Sequence, residues 1–450
     1  MHVVTIETPA LGDRTYLVHD EHAALVVDPQ RDIDRVIDVA DAVGVEITHV
    51  AETHLHNDYV SGGLALTRRV GGRYLHAGSE HLPFDHDPVV GGDTVEVGAL
   101  RVEVLHTPGH TAHHLTYIVR LGDEPAAVFT GGSLLYGTVG RTDLVAAVST
   151  EELTRAQYRS AHRLAALLAD DARVYPTHGF GSFCSSAKGT GDSDGTLGTE
   201  KQINIAFTTG GEDDFVDQLV SGLTAQPAYY AHMVQLNTSG AFPVDLSPPS
   251  PVDPVELARR IHRGEWVVDL RQRRAYASDH IAGTVGIELA DPFATYLGWL
   301  IPWATAVTLL ADTSDEVAEA QRQLVRIGID RPAGAADGGI DQWAGDHGRR
   351  SYPAVDFSEV KALLAEPATF VLDVRRDDEW ARGHVADAVH LPMHDLLTRL
   401  RDVPDGRALV HCASGFRASI AASLLDRAGQ DVVLIDDEYT NAEAAGLPTT

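Results

Sequence analysis

The chain has 450 residues, with 65 acidic against 35 basic side chains and a formal charge of −30. That length makes two to four domains able to build cores without disulfide staples, and the negative field excludes general binding to phosphate backbones or anionic membranes. Hydrophobic content of 44% with 22% charged residues is that of a folded chain, so small molecules are the expected partners, with no nucleic acid and no membrane; a homo-oligomer is compatible with this composition.

The opening, MHVVTIETPALGD, has no charged region followed by an apolar run, and the two cysteines, Cys184 and Cys412, are too far apart to make a disulfide framework. The cytoplasm is the expected compartment. Short β-like runs (HVVTIE, TYLVHD, AALVVDP) then alternate with helical patterns up to about residue 245, which predicts a layered α/β domain. Within it, Thr53-His54-Leu55-His56-Asn57-Asp58-Tyr59 follows a strand-like run. Two histidines at i and i+2 in such a loop can converge on one cation, with Asp58 close behind. His110 in Thr107-Pro108-Gly109-His110-Thr111 and His178 in Tyr175-Pro176-Thr177-His178-Gly179 stand at two further strand ends. This order of sites resembles the metallo-β-lactamase fold, an αββα sandwich with its metal site at one edge. The resemblance covers residues 1–245 and implies metal ligands at His54, His56, His110, Asp58 and His178, with Asp28 in VVDPQRD as an orienting residue. Cys184, just after the His178 turn, is either a relay thiol or an ordinary core cysteine.

The Gly/Ser-rich tract Ser185–Gly198 reads as a linker, but a helical pattern follows it, so the domain boundary is placed at the Pro-rich segment SPPSPVDP, residues 247–254. Beyond it the chain repeats itself. Residues 252–350 and 355–450 both run helix, strand ending in Asp-(Leu/Val)-Arg, helix, and His-(Ile/Val)-Ala before another strand. Each copy is domain-sized, so two tandem α/β domains are expected. The charge-free stretch from Pro292 to Ala311 lies in the first copy, but Pro292, Gly298 and Pro302 break it as a membrane span.

In the second copy the strand RALVHC delivers Cys412 into the loop Ala413-Ser414-Gly415-Phe416-Arg417, and a helix follows at once. Loop amides and the positive helix end then face the sulfur and favour an anionic sulfur species. Cys-x4-Arg makes a smaller ring than the Cys-x5-Arg of phosphatases and suits sulfane sulfur better than phosphate. The segment resembles the active-site loop of rhodanese-type sulfurtransferases, with Asp373, Arg375, Glu379 and Gly383-His384 matching earlier parts of that pattern. The resemblance implies a persulfide on Cys412 and an anionic donor held by Arg417 and by residues 413–416. In the first copy Ala311 stands opposite Cys412 and Glu316 opposite Arg417, so that domain is expected to be catalytically silent.

The whole arrangement, a metallo-β-lactamase-fold domain followed by two rhodanese-like domains, resembles the persulfide dioxygenase–rhodanese fusions. Phe129-Thr130-Gly131-Gly132-Ser133 and Gly140-Arg141-Thr142-Asp143 are similar to their FTGD and GRTD segments. The resemblance implies oxidation of glutathione persulfide, or another low-molecular-weight persulfide, to sulfite at one Fe(II) held by two histidines and a carboxylate. The histidines would be His54 and His110, and substrate contacts are implied at Tyr59 and Arg141. Thiosulfate and a thiol acceptor are the partners implied for the rhodanese. The chain departs from the pattern where Gly132 replaces the carboxylate and Tyr59 replaces a histidine. A mononuclear zinc hydrolase of thioesters or lactones, or a non-catalytic domain delivering persulfide to Cys412, are the alternatives.

Overall fold

The computed structural model describes residues 1–145, 149–186, 195–345 and 347–450; most of the Gly/Ser-rich tract, residues 187–194, lies outside them. The described chain divides into two compact units, Met1–Val244 with Val325–Gly328, and Asp245–Leu324 with Ile329–Thr450.

The first unit is an αββα sandwich. Six strands, His2–Thr8, Asp13–His19, Ala23–Val27, Glu46–Ala51, Arg73–Ala77 and Asp87–Val89, pair in chain order, antiparallel for the first three and parallel after them. A second sheet is ordered Arg173–Pro176, Ala127–Gly131, Leu115–Arg120, Leu100–His106, Thr94–Val97. Tyr16, Leu25, Val27 and Ala51 of the first sheet pack against Val102, Tyr117 and Phe129 of the second, forming the inner core. The outer faces are apolar as well. Leu17, Val26 and Val50 meet Val36 and Ala40 of the helix Asp34–Val43, while Val128 and Val174 meet Ala161 and Leu164 of the helix Thr150–Leu167. Burial on both faces is why these strands are nearly continuous hydrophobic runs rather than alternating ones.

The second unit holds two parallel sheets with one topology. Read from one edge, the first runs Val285–Gly286, Trp266–Asp269, Val307–Leu310, Gly334–Ala336; the second runs Val389–His390, Thr369–Asp373, Arg407–His411, Asp431–Ile435, and adds Ala354–Val355. The sequence repeat is therefore a structural repeat. Arg271 grips the Asp269 carboxylate and the Asp279 carbonyl, and Arg375 grips Asp373 and the Gly383 carbonyl in the same way. Register fixes the comparison of the two loops: Asp269 pairs with Leu310 and Asp373 with His411, so Ala311 is the structural counterpart of Cys412. In the first copy the Glu316 carboxylate accepts the Thr313 amide at 2.9 Å. The Glu316 carboxylate thus takes up an amide and a hydroxyl of its own loop.

Candidate functional site

The metal-type residues of the first unit all sit on loops that leave strand ends at one edge of the sandwich. Asp28 follows Ala23–Val27, the segment from Glu52 to Tyr59 follows Glu46–Ala51, His110 follows Leu100–His106, Gly132 follows Ala127–Gly131, and His178 follows Arg173–Pro176. His54, His56, His110 and His178 are buried together, with the His54 ring centroid 4.1 Å from that of His56, 4.7 Å from His110 and 5.3 Å from His178.

Each ring is oriented through one nitrogen, which leaves the other for a ligand. Thr53 Oγ1 donates to Asp28 Oδ2 at 2.8 Å and therefore accepts from His54 Nδ1 at 2.8 Å, so His54 Nε2 is the bare nitrogen. His110 Nδ1 donates to the Arg141 carbonyl at 2.7 Å, and its buried Nε2 has no partner among the described residues. His178 Nδ1 lies 2.9 Å from Asp13 Oδ1 and 3.1 Å from Asp58 Oδ2, while its Nε2 is 3.4 Å from His54 Nε2. His56 Nε2 is shared by Glu52 at 3.1 Å, Asp28 at 3.2 Å and the Tyr59 hydroxyl at 3.0 Å, and its Nδ1 is another buried atom without a partner.

These donors fit a divalent cation. A tetrahedral ion bonded at about 2.0–2.1 Å separates its imidazole nitrogens by about 3.4 Å, the spacing between His54 and His178. One donor atom each of His54, His56 and His178 lies within 4.8 Å of the others, and the same holds for His110, His178 and Cys184. Without a cation the charges rearrange. Burial disfavours the His178 cation, but Asp58 and Asp13 outweigh it and hold the imidazole well above its ordinary value. Burial likewise works against the His56 cation, and Asp28 and Glu52 raise it to about 9. Burial, helped by the charge of His178, pushes His110 down to about 3. Burial and the neighbouring Asp58 push Asp13 up to about 8. Burial first, then the Asp58 charge, pushes the Cys184 thiol up.

Tyr59 is fully buried and stacks on His56 at 4.3 Å, with its hydroxyl spent on His56 and the Asp28 carbonyl. Arg141 is also buried, its guanidinium bound to Asp143 and to the carbonyls of Phe183 and Thr224. Both side chains brace the site. Gly132 donates its amide to His114 Nε2 at 3.1 Å, and a Cβ at this position would lie 2.2 Å from His110 Cδ2. Gly132→Ala should therefore push His110 aside and weaken metal binding about 10–100-fold, measured by competition with a chromophoric chelator. Unchanged affinity would show that His110 does not hold the ion.

Asp13, Glu52 and Gln157 are parts of the site that sequence patterns did not mark. Gln157 Oε1 accepts the His110 amide at 2.6 Å. Glu52 adjoins the His54 segment, four residues from His56, whereas only the fold brings Asp13 and Gln157 there.

In the second unit, Cys412 is 1% exposed between the strand Arg407–His411 and the helix Phe416–Arg427. The loop is fastened from several sides. The Ala413 carbonyl accepts the Tyr439 amide at 2.8 Å, Arg273 reaches the Ser414 carbonyl at 3.5 Å, and the Phe416 ring lies 5.6 Å from that of Tyr296. Arg417 forms a two-armed pair with Glu379, at 2.5 and 2.8 Å. The first copy thus contributes Arg273 and Tyr296 to the neighbourhood of the second copy's loop. Gly415 has φ 88°, and a Cβ there would meet Asp436 Oδ1 at 2.2 Å. Gly415→Ala should cost about 1–2 kcal/mol for the left-handed conformation alone, lowering the urea midpoint together with sulfur transfer.

Comparison with known proteins agrees with both halves. Residues 356–445 match the family model for the rhodanese-like domain. Hydroxyacylglutathione hydrolase of Methylobacillus flagellatus is 32% identical over 165 residues, 36% of this chain and 60% of that protein. The enzyme of the same name from Albidiferax ferrireducens is 31% identical over 137 residues, 30% of this chain and 53% of that protein. The chain thus spans little more than half the length of these curated relatives. A crystal structure described as a metallo-β-lactamase from Staphylococcus aureus subsp. aureus COL superimposes with a TM-score of 0.67 at 28% identity, covering 75% of this chain and 99% of that one. No helix among the described residues is long and apolar enough to cross a membrane. The chain joins an N-terminal region of metallo-β-lactamase fold, related in sequence to hydroxyacylglutathione hydrolases, to a C-terminal rhodanese-like domain.

Proposed function

We propose that this chain is a sulfur-metabolism enzyme. Its Cys412 loop transfers sulfane sulfur from thiosulfate to a low-molecular-weight thiol, and its metal centre oxidises the resulting persulfide with O2 and one water to sulfite, releasing the thiol. The middle repeat is read as a second, silent rhodanese-like domain that supports the Cys412 loop. The observation that carries the oxidative half is the donor set. His54 and His178 bring their Nε2 atoms within 3.4 Å of each other and His56 Nδ1 and His110 Nε2 are buried without a partner among the described residues, whereas Gly132 offers no side chain and the Tyr59 hydroxyl is spent on His56. That pattern suits one metal better than two.

In the transfer step the Cys412 thiolate attacks the outer sulfur of thiosulfate, the S–S bond breaks, and sulfite leaves. A thiol acceptor such as glutathione then takes the outer sulfur of the cysteine persulfide as its thiolate and returns the Cys412 thiolate. Loop amides and Arg417 hold the anionic donor, and Glu379 keeps Arg417 in place. In the N-terminal unit His54, His56, His110 and His178 would supply the ligands of one Fe(II), or Zn(II) in the hydrolytic reading. Bound iron would supply open positions for substrate sulfur and dioxygen. Asp28 fixes the loop through the Thr53 amide and the Thr53 and Thr177 hydroxyls, and Arg141 fixes His110 through its carbonyl. Each of these histidines is buried.

The names of the curated relatives favour a second reading, hydrolysis of a glutathione thioester. One experiment separates the two. With iron-loaded protein, thiosulfate plus glutathione should support oxygen uptake in the wild type but not in Cys412→Ser, while preformed glutathione persulfide supports it in both. Hydrolysis of an S-acylglutathione by zinc-loaded protein, without any oxygen uptake by the iron form, would replace this reading with the hydrolase.

A further inference from the structure

Cys184 is fully buried, yet it does not sit among aliphatic side chains alone. Its Sγ lies within 4.8 Å of a ring nitrogen of His110 and of His178. On the facing side His110 Nε2 is buried and has no partner among the described residues. One residue positions both groups: the Arg141 carbonyl accepts His110 Nδ1 at 2.7 Å, and the Arg141 amide donates to the Cys184 carbonyl at 2.8 Å. The Arg141 guanidinium also holds the Phe183 carbonyl at 3.2 Å, and the Cys184 amide donates to Ser182 Oγ at 3.2 Å. The backbone on both sides of the thiol is therefore held in place.

Charge points the same way. Neutral imidazoles bring no negative charge to a divalent cation, and Gly132 has no side chain to add one. Asp58 groups with His178 and Asp13 rather than with His110; its Oδ2 is taken up by His178 and Ser182, and its Oδ1 is buried without a partner among the described residues. On the His110 side the anion-forming donor is Cys184, and a thiolate is a favoured ligand of both zinc and iron.

We propose that Cys184 is a ligand of the metal, bound as a thiolate beside His110 and His178, so that the centre is a mixed imidazole–thiolate site. This rests on the metal centre of the preceding section. On binding, the S–H bond breaks, the S–metal bond forms and the proton passes to solvent; no electron moves.

The test uses full-length Cys412→Ser, in which Cys184 is the one cysteine left. Loaded with Co(II), it should show thiolate-to-cobalt charge-transfer absorption, and loaded with Zn(II) its X-ray absorption should show one sulfur neighbour. Adding Cys184→Ser should remove both signatures and weaken metal binding at least about 10–100-fold. The single variant carries the test even if the double one folds poorly. Metal bound to Cys412→Ser with only nitrogen and oxygen neighbours would overturn the role of Cys184 and leave the metal centre standing. No metal bound to wild type or variant would overturn the centre itself, and this inference with it.

Discussion

Cys412→Ser is expected to lower thiosulfate:cyanide sulfurtransferase activity at least about a thousandfold, to background, while metal content stays unchanged. A serine hydroxyl is neither ionised nor soft enough to take up sulfane sulfur, so the covalent intermediate is lost rather than weakened. The loop should survive the change. Its shape depends on Tyr439 at the Ala413 carbonyl, on the Arg417–Glu379 pair, and on Asp436, gripped by Arg273 and Arg274, and none of these contacts uses the sulfur. Metal content should hold because Cys412 belongs to the second compact unit and the histidines to the first. Retained transfer activity would remove Cys412 from the reaction.

His178→Ala should have two effects, which His110→Ala separates. Among the described residues His178 belongs to three of the four groups able to hold a cation, so its loss should empty the metal centre. It also faces Asp13 and Asp58, both fully buried. Removing it leaves the buried Asp13–Asp58 pair without its imidazolium partner, at a cost of about 3–5 kcal/mol. Among the described residues His110 hydrogen-bonds no carboxylate; its Nε2 has no partner and its Nδ1 meets the Arg141 carbonyl. His110→Ala should therefore lose metal with a much smaller loss of stability. Metal analysis, together with urea unfolding in the presence of a chelator, reads the two effects separately. A stable His178→Ala protein that keeps its metal would contradict the assigned geometry.

The four histidines were legible because each stands just after a strand, where the fold must gather loops at one edge, and two of them share a single loop. The cysteine loop was legible for a similar reason: strand, Cys412, glycine, arginine and helix are contiguous. The partners of these residues were not. Asp13 reaches His178 across 165 positions and Gln157 reaches the His110 amide across 47, so only the closed sandwich reveals them. The resemblance implies a substrate contact for Tyr59, but what that side chain meets depends on where the His56 ring lies. Stacking at 4.3 Å assigns its ring to His56. The middle repeat is legible as a second copy with Ala311 opposite Cys412, but its contribution of Arg273 and Tyr296 to the Cys412 loop is not. Those contacts arise between helices of two copies that each read as complete domains.

The central claim is that the N-terminal centre consumes dioxygen with a persulfide substrate. The most direct measurement is oxygen uptake by protein purified anaerobically, loaded with one Fe(II) and mixed with glutathione persulfide. The account predicts one O2 consumed and one sulfite formed for each persulfide oxidised, with no uptake by the zinc-loaded protein. Iron bound at full occupancy with no oxygen uptake, in protein whose Cys412 still transfers sulfur, would contradict it.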